Sequence, residues 1–145
     1  MQLFLKAGER LYVNSALLRV DRKVNVELLN DVTFLLESHV IRDDEATTPL
    51  RQLYYVVQTM MINSAAEAEA KSLFGSMILN MLTEYQNQTI RSGLKQIHEK
   101  VLIGRLFETL KLIRELYPES DWQWHLYTGR TQANASKAEV LLVRN

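Results

Sequence analysis

Between residues 3 and 41 the apolar positions come in short, partly alternating runs: Leu3 and Leu5, Leu11 and Val13, Leu17, then Val24, Val26 and Leu28. A period of two puts each set on one face of a strand. The separators are turn residues, Ala7-Gly8, Asn14-Ser15, Asp21-Arg22 and Asn30-Asp31. Asn and Asp tolerate the positive φ that tight hairpin turns need. The pattern predicts five short antiparallel strands, near Gln2 to Lys6, Arg10 to Val13, Ala16 to Val20, Val24 to Leu29 and Val32 to Leu36. So small a sheet needs something to pack against.

The period changes to that of a helix at Thr48-Pro49, where Thr48 can cap and Pro49 takes the first helical position. Asp43, Asp44 and Glu45 lie upstream, where the positive end of the helix dipole favours them. The helix, about Pro49 to Ile62, is apolar nearly all round, which places it centrally or under a partner. Ser64-Ala65-Ala66-Glu67 matches a capping box and opens a second helix reaching about Tyr85, with the stripe Ala66, Ala70, Leu73, Phe74, Met77, Ile78, Met81, Leu82 and Tyr85. A third helical stretch, Thr89 to Tyr117, stops at Pro118. Ile90, Leu94, Ile97 and Val101 share one of its faces, and Ile103, Leu106, Phe107, Leu110, Ile113 and Tyr117 the nearly opposite one. A straight helix cannot bury both, so a break near Gly104 is expected.

These elements predict an α+β fold in which a small antiparallel N-terminal sheet, a meander or set of hairpins, packs against a C-terminal bundle of three to four helices. A chain of 145 residues fits one domain. Its β-rich part is 1–42, its helical part 48–118, and 119–145 is a tail in which Val140 to Val143 suggests a further strand. Absence of cysteine removes disulfides, thiol nucleophiles and thiolate metal sites. Met1 to Lys6 lacks the regions of a secretory signal, so none is expected. The longest uncharged run, Gln52 to Ala66, is fifteen residues and contains several polar side chains. That is too short and too polar to span a bilayer.

Seventeen basic and seventeen acidic residues cancel, which argues against general affinity for polyanions or membranes. Two local clusters escape the cancellation. Arg19, Arg22 and Lys23 bracket a hairpin tip, with Arg10 and Tyr12 on the preceding strand. Cations beside an aromatic can hold single-stranded RNA through phosphates and stacking. Arg91, Lys95 and His98 line one face of the third helix. The plainer reading of both clusters is a solvated surface. Tyr54, Tyr55, Met60 and Met61 form a candidate protein interface, or else simply core. His39, His98 and His125 lack the spacing of a zinc site, and Asp43-Asp44-Glu45 lacks a calcium loop. No nucleophile elbow, phosphate loop or dinucleotide fingerprint occurs. Neither catalysis, a metal nor a cofactor is expected.

Three segments fall in register: Leu5-Lys6-Ala7-Gly8-Glu9-Arg10-Leu11-Tyr12-Val13-Asn14, then Asp21-Arg22-Lys23, then Glu45-Ala46-Thr47-Thr48-Pro49 followed by Arg51 and Tyr54. Together they resemble the FlbT family, flagellum biosynthesis repressors of alphaproteobacteria. Gly104 and Leu110-Lys111 ahead of Arg114 fit the same family less specifically. The chain departs from the family pattern at Ala7, Ser15 and Val20, where the family favours Pro, Gly and Gly. The resemblance implies a non-enzymatic, cytoplasmic, post-transcriptional regulator of flagellin synthesis, with some relatives promoting flagellin production instead of repressing it. Such a protein associates with the 5′ untranslated region of flagellin mRNA and affects its translation or decay. A FlaF-like protein is the implied partner, with flagellin and a second copy of the chain as further candidates. The alternative is a protein-binding adaptor or chaperone-like factor that engages flagellin or FlaF and affects the mRNA indirectly. The family carries over no catalytic residues; Arg10, Tyr12, Arg19, Arg22 and Lys23 follow from charge and position, and Thr48 and Pro49 mark a structural junction.

Overall fold

The computed structural model describes residues 2–30 and 32–121. Within them lie the strands β1 (Gln2–Leu5), β2 (Arg10–Val13), β3 (Ala16–Arg19), β4 (Val24–Glu27) and β5 (Phe34–Leu36). The helices α1 (Pro49–Ile62), α2 (Glu67–Glu84), α3 (Gln88–Leu102), α4 (Leu106–Glu115) and the short α5 (Tyr117–Asp121) follow. The fold is α+β, with antiparallel strands at the N-terminal end and helices packed after them. The suggested strand at Val140 to Val143 lies outside the described residues.

The strands form two small sheets rather than one meander. β1 pairs with β4, and β3, β2 and β5 make a second sheet with β2 in the middle. Only β2 and β3 are a consecutive hairpin. Alternation explains the split. Tyr12 and Leu35 turn one face of the three-stranded sheet to the helices, while Leu11 and Phe34 turn the other to Leu3 and Leu5 of β1. A sheet that is apolar on both faces needs a cover on each. The two-stranded sheet supplies the second cover.

The hairpin tip between β2 and β3 holds Asn14 at φ 48° and Ser15 at φ 71°. Two successive positive φ values are the signature of a type I′ turn, whose twist matches the flanking strands. Asn14 also ties this tip to the segment before β5, accepting the Thr33 N–H on Oδ1 at 3.2 Å and donating its own N–H to the Thr33 carbonyl at 2.8 Å.

α1 is the centre of the helical core. All its residues except Arg51 and Ile62 are buried, with α2, α4 and β5 packed around it. Each large apolar side chain so buried contributes roughly 1.5–3 kcal/mol. One of its two buried amides, Gln58, is satisfied from the chain leading into the helix: Oε1 accepts the Ile41 N–H at 2.8 Å and Nε2 donates to the Ile41 carbonyl at 3.0 Å. Thr48 caps the helix as expected, accepting the Arg51 N–H at 3.3 Å, with Pro49 in the first turn.

Some boundaries differ from the sequence expectation. The capping box at Ser64 does not form; a 3₁₀ turn, Ser64–Ala66, leads into α2, and Glu67 pairs with Lys71 at 3.0 Å instead. The acids Asp43 to Glu45 form a 3₁₀ turn of their own, in which Asp44 and Glu45 pair with Arg42. α4 ends at Glu115, and Pro118 sits inside the first turn of α5, where its missing N–H costs nothing. The break between α3 and α4 falls where two opposed faces required it. Gly104 adopts φ 76°, its N–H bonds the Val101 carbonyl, and the Arg105 N–H bonds the Lys100 carbonyl. That pair of bonds is a Schellman stop. Ile90, Leu94 and Ile97 are buried before it and Leu110 and Ile113 after it, while Ile103 and Phe107 are exposed.

Candidate functional site

The register of the two sheets brings distant cations to one end of the β layer. Gly8, at φ 82°, closes the turn after β1, and its N–H donates to the Val20 carbonyl at 2.8 Å. The turn 6–9 therefore lies beside the turn 20–23. Leu5 pairs with Val24, and Lys6 follows β1 where Lys23 precedes β4, so the two lysines flank the same end of this sheet. Arg10 and Arg19 are direct partners in the neighbouring sheet. Four exposed cations, Lys6, Arg19, Arg22 and Lys23, gather here with only Glu9 and Asp21 to offset them. Arg22 pairs with Asp21 at 3.2 Å in full solvent, where such a pair is worth little.

Arg10 is placed differently. Its Nε and Nη2 donate to Glu37 Oε1 at 2.9 and 2.5 Å, and its N–H donates to Oε2 at 3.3 Å. These hydrogen bonds hold the Glu37 carboxyl below the usual carboxylate range and raise the guanidinium. Arg10 thus stands between its strand partner Arg19 and Glu37, the residue just after β5, and the acid neutralises it. Tyr12 lies on the same face, but its ring packs partly against the helical core. Arg19, Arg22 and Lys23 remain the exposed cations of the predicted hairpin cluster, while Arg10 and Tyr12 are engaged.

The other sequence candidates are structural. Arg91 turns its Nη1 onto the last carbonyls of α2, those of Leu82 and Tyr85. His98 stacks on Phe74, with ring centroids 6.3 Å apart and planes 9° apart. Lys95 alone of that trio remains a simple exposed cation. Tyr54, Tyr55, Met60 and Met61 are all buried, so the protein interface expected of them is corrected to core. A helix wrapped on several sides has no face left to offer.

Thr48, Pro49, Arg51 and Tyr54 hold the junction between the β layer and the helices. Arg51 donates from Nη1 to Thr48 Oγ1 at 3.2 Å and lies 4.4 Å over the Tyr117 ring. The Tyr54 hydroxyl donates to the His39 carbonyl at 2.5 Å and accepts from Arg114 Nη1 at 3.1 Å. Burial pushes the Tyr54 phenol up and the His39 imidazole down, and the Arg114 charge adds to the second effect.

Two features escaped the sequence reading. On the outer face of β1–β4 the alternation lines up Phe4, across from Asn25, with the Lys6 and Lys23 step beyond. Phe4 is 73% exposed. β1 pairs with a strand nearly twenty residues away, so no local signal links these four. The second feature is a groove of about 480 Å³ between the start of β5 and α4, lined by Phe34, Met61, Leu106 and Phe107 among others. Leu102 and Ile103 are exposed nearby at the Gly104 turn.

Among the described residues no cluster of His, Asp or Glu is arranged to hold a metal ion, and no helix is long and apolar enough to cross a membrane. A family model described as flagellar protein FlbT matches residues 1–121. This chain belongs to the FlbT family. It is 47% identical over 121 residues to a protein of Allorhizobium ampelinum, covering 83% of this chain and 81% of that one. A Brucella anthropi protein is 49% identical over 118 residues, 81% of this chain and 78% of its own length. A Chelativorans protein is 43% identical over 140 residues, 97% and 95% of the two chains. All three are named probable flagellum biosynthesis repressor protein FlbT. No solved structure matches. In this FlbT chain, the Thr48-Pro49-x-Arg51-x-x-Tyr54 block links the helices to the segment after β5.

Proposed function

We propose that this protein represses flagellum biosynthesis after transcription, by holding the 5′ untranslated region of flagellin mRNA and affecting its translation or decay in the cytoplasm. The observation that carries this reading is the bond from the Gly8 N–H to the Val20 carbonyl, which brings the turn 6–9, with Lys6, beside the turn 20–23, with Arg22 and Lys23. The names of the relatives support the repressor role, and the grouped cations support a polyanion as ligand. With three to four phosphates engaged, log Kobs against log salt for a single strand has a slope of about −2 to −3. The zero net charge of the whole chain keeps non-specific binding weak. The double variant Arg22→Glu/Lys23→Glu tests this directly, with binding to a flagellin leader RNA measured over a salt series. Affinity drops and the slope flattens if the turns hold phosphates; unchanged binding overturns the reading.

A second reading is a protein-binding adaptor, acting on flagellin or a FlaF-like protein and only indirectly on the mRNA. The groove between β5 and α4, with Leu102, Ile103 and Phe107 exposed around it, favours this reading. Salt separates the two, because an apolar interface is nearly insensitive to it.

A further inference from the structure

The outer face of β1–β4 carries more than charge. Gln2 and Phe4 alternate outward along one edge, opposite Glu27 and Asn25 along the other, with Lys6 following β1 and Lys23 preceding β4 at the same end. The inward set, Leu3 and Leu5 with Val24 and Val26, is taken up by the apolar cluster beneath. A phenylalanine directed outward beside two lysines is not there for packing, since its ring is 73% exposed while Leu3 and Leu5 on either side are buried. The sheet is also polarised along its length: Glu27 stands at one end and the lysine pair at the other, with Phe4 and Asn25 between.

We infer that this face is a stacking platform for one unpaired base of single-stranded RNA, which rests on the proposed RNA reading and extends it from phosphates to a base. The Phe4 ring stacks the base, and the Asn25 amide, directly across the strand pair, reaches its edge with a donor and an acceptor. Lys6 and Lys23 hold the flanking phosphates. Glu27 repels the backbone from the far end, so the strand crosses the sheet at the lysine end and continues over the turn toward Arg22. An unpaired base suits the ring, which offers a π-face and no charge; a duplex does not fit, because its bases are already stacked.

The test uses the full chain with a flagellin leader oligonucleotide carrying 2-aminopurine at single positions, whose fluorescence reports stacking. Wild type changes the fluorescence at one position of the bound strand. Phe4→Ala abolishes that change and weakens binding by about 5- to 150-fold, the usual worth of one stacked base, with the salt slope unchanged. Phe4→Tyr restores both. Because the ring is solvent-exposed, the substitution leaves the fold intact, and thermal melting checks this. Full binding and an unchanged fluorescence response in Phe4→Ala, alongside weakened binding in Arg22→Glu/Lys23→Glu, overturn the platform and leave the RNA reading standing. Absence of RNA binding by wild type overturns both. Loss of self-association in Phe4→Ala with RNA binding intact makes the face an interface between copies and overturns the platform as well.

Discussion

Arg114 donates from Nη1 to the Tyr54 hydroxyl at 3.1 Å, across sixty residues of sequence, while that hydroxyl donates its own proton to the His39 carbonyl at 2.5 Å. One phenol thus joins α4, α1 and the segment after β5. Tyr54→Phe keeps the ring and its packing but strands the His39 carbonyl and one guanidinium donor. Leaving a buried polar group unpaired costs about 1–3 kcal/mol, so urea unfolding is expected to show a lower midpoint with an unchanged slope.

His39 sits against the same network, and burial, followed by the Arg114 charge, lowers its pKa in the folded state. The unfolded chain then binds the proton more readily than the folded one. The linked stability is complete above the unfolded value, about 6.5, and is lost as the pH falls through it toward the folded pKa. Unfolding titrations between mildly acidic and neutral pH are expected to show this decline, and His39→Asn to flatten it. An equal slope in wild type and variant refutes the assignment.

Ser15 holds φ 71° at the β2–β3 tip without being glycine. The left-handed region costs an L-residue about 1–2 kcal/mol, partly offset by the extra freedom glycine gives the unfolded chain. Ser15→Gly is therefore expected to raise stability by up to about 1 kcal/mol, read as a higher melting temperature. A lower one contradicts the strain.

Arg91 serves the carbonyl end of α2. Arg91→Met keeps most of the stem while removing the donors. A stability loss of about 1.5–3 kcal/mol is expected, as for hydrogen bonds from a charged group, with leader-RNA affinity unchanged once the variant is folded. Weaker RNA binding at full stability reverses that assignment.

Local rules made much of the fold legible. Thr48-Pro49 marked the start of α1 because capping and the proline φ are properties of adjacent residues. Gly104 marked the α3–α4 break because two opposed apolar faces cannot share one straight helix. The site was less legible. Arg22 and Lys23 were visible as a cluster, but Arg10 looked equally available, since nothing near it in sequence announces Glu37. Phe4 looked like one more apolar residue in a strand. Tyr54, Tyr55, Met60 and Met61 read as core first and as interface second, because composition records how apolar a helix is and not how many neighbours cover it.

The sequence by itself determined which segments are strands and helices, where most of them begin and stop, and which residues carry charge. These follow from periodicity, caps and turn residues, whose physics acts over a few positions. Only the tertiary structure decided that β1 pairs with β4 and β2 with both β3 and β5, and hence that Lys6 and Lys23 flank the same end of one sheet. Strand pairing is a choice among distant partners, settled by which arrangement buries both faces of the three-stranded sheet at once. The same choice gave Arg10 to Glu37, closed the core over α1, and left Phe4 standing outward between the lysines and Glu27.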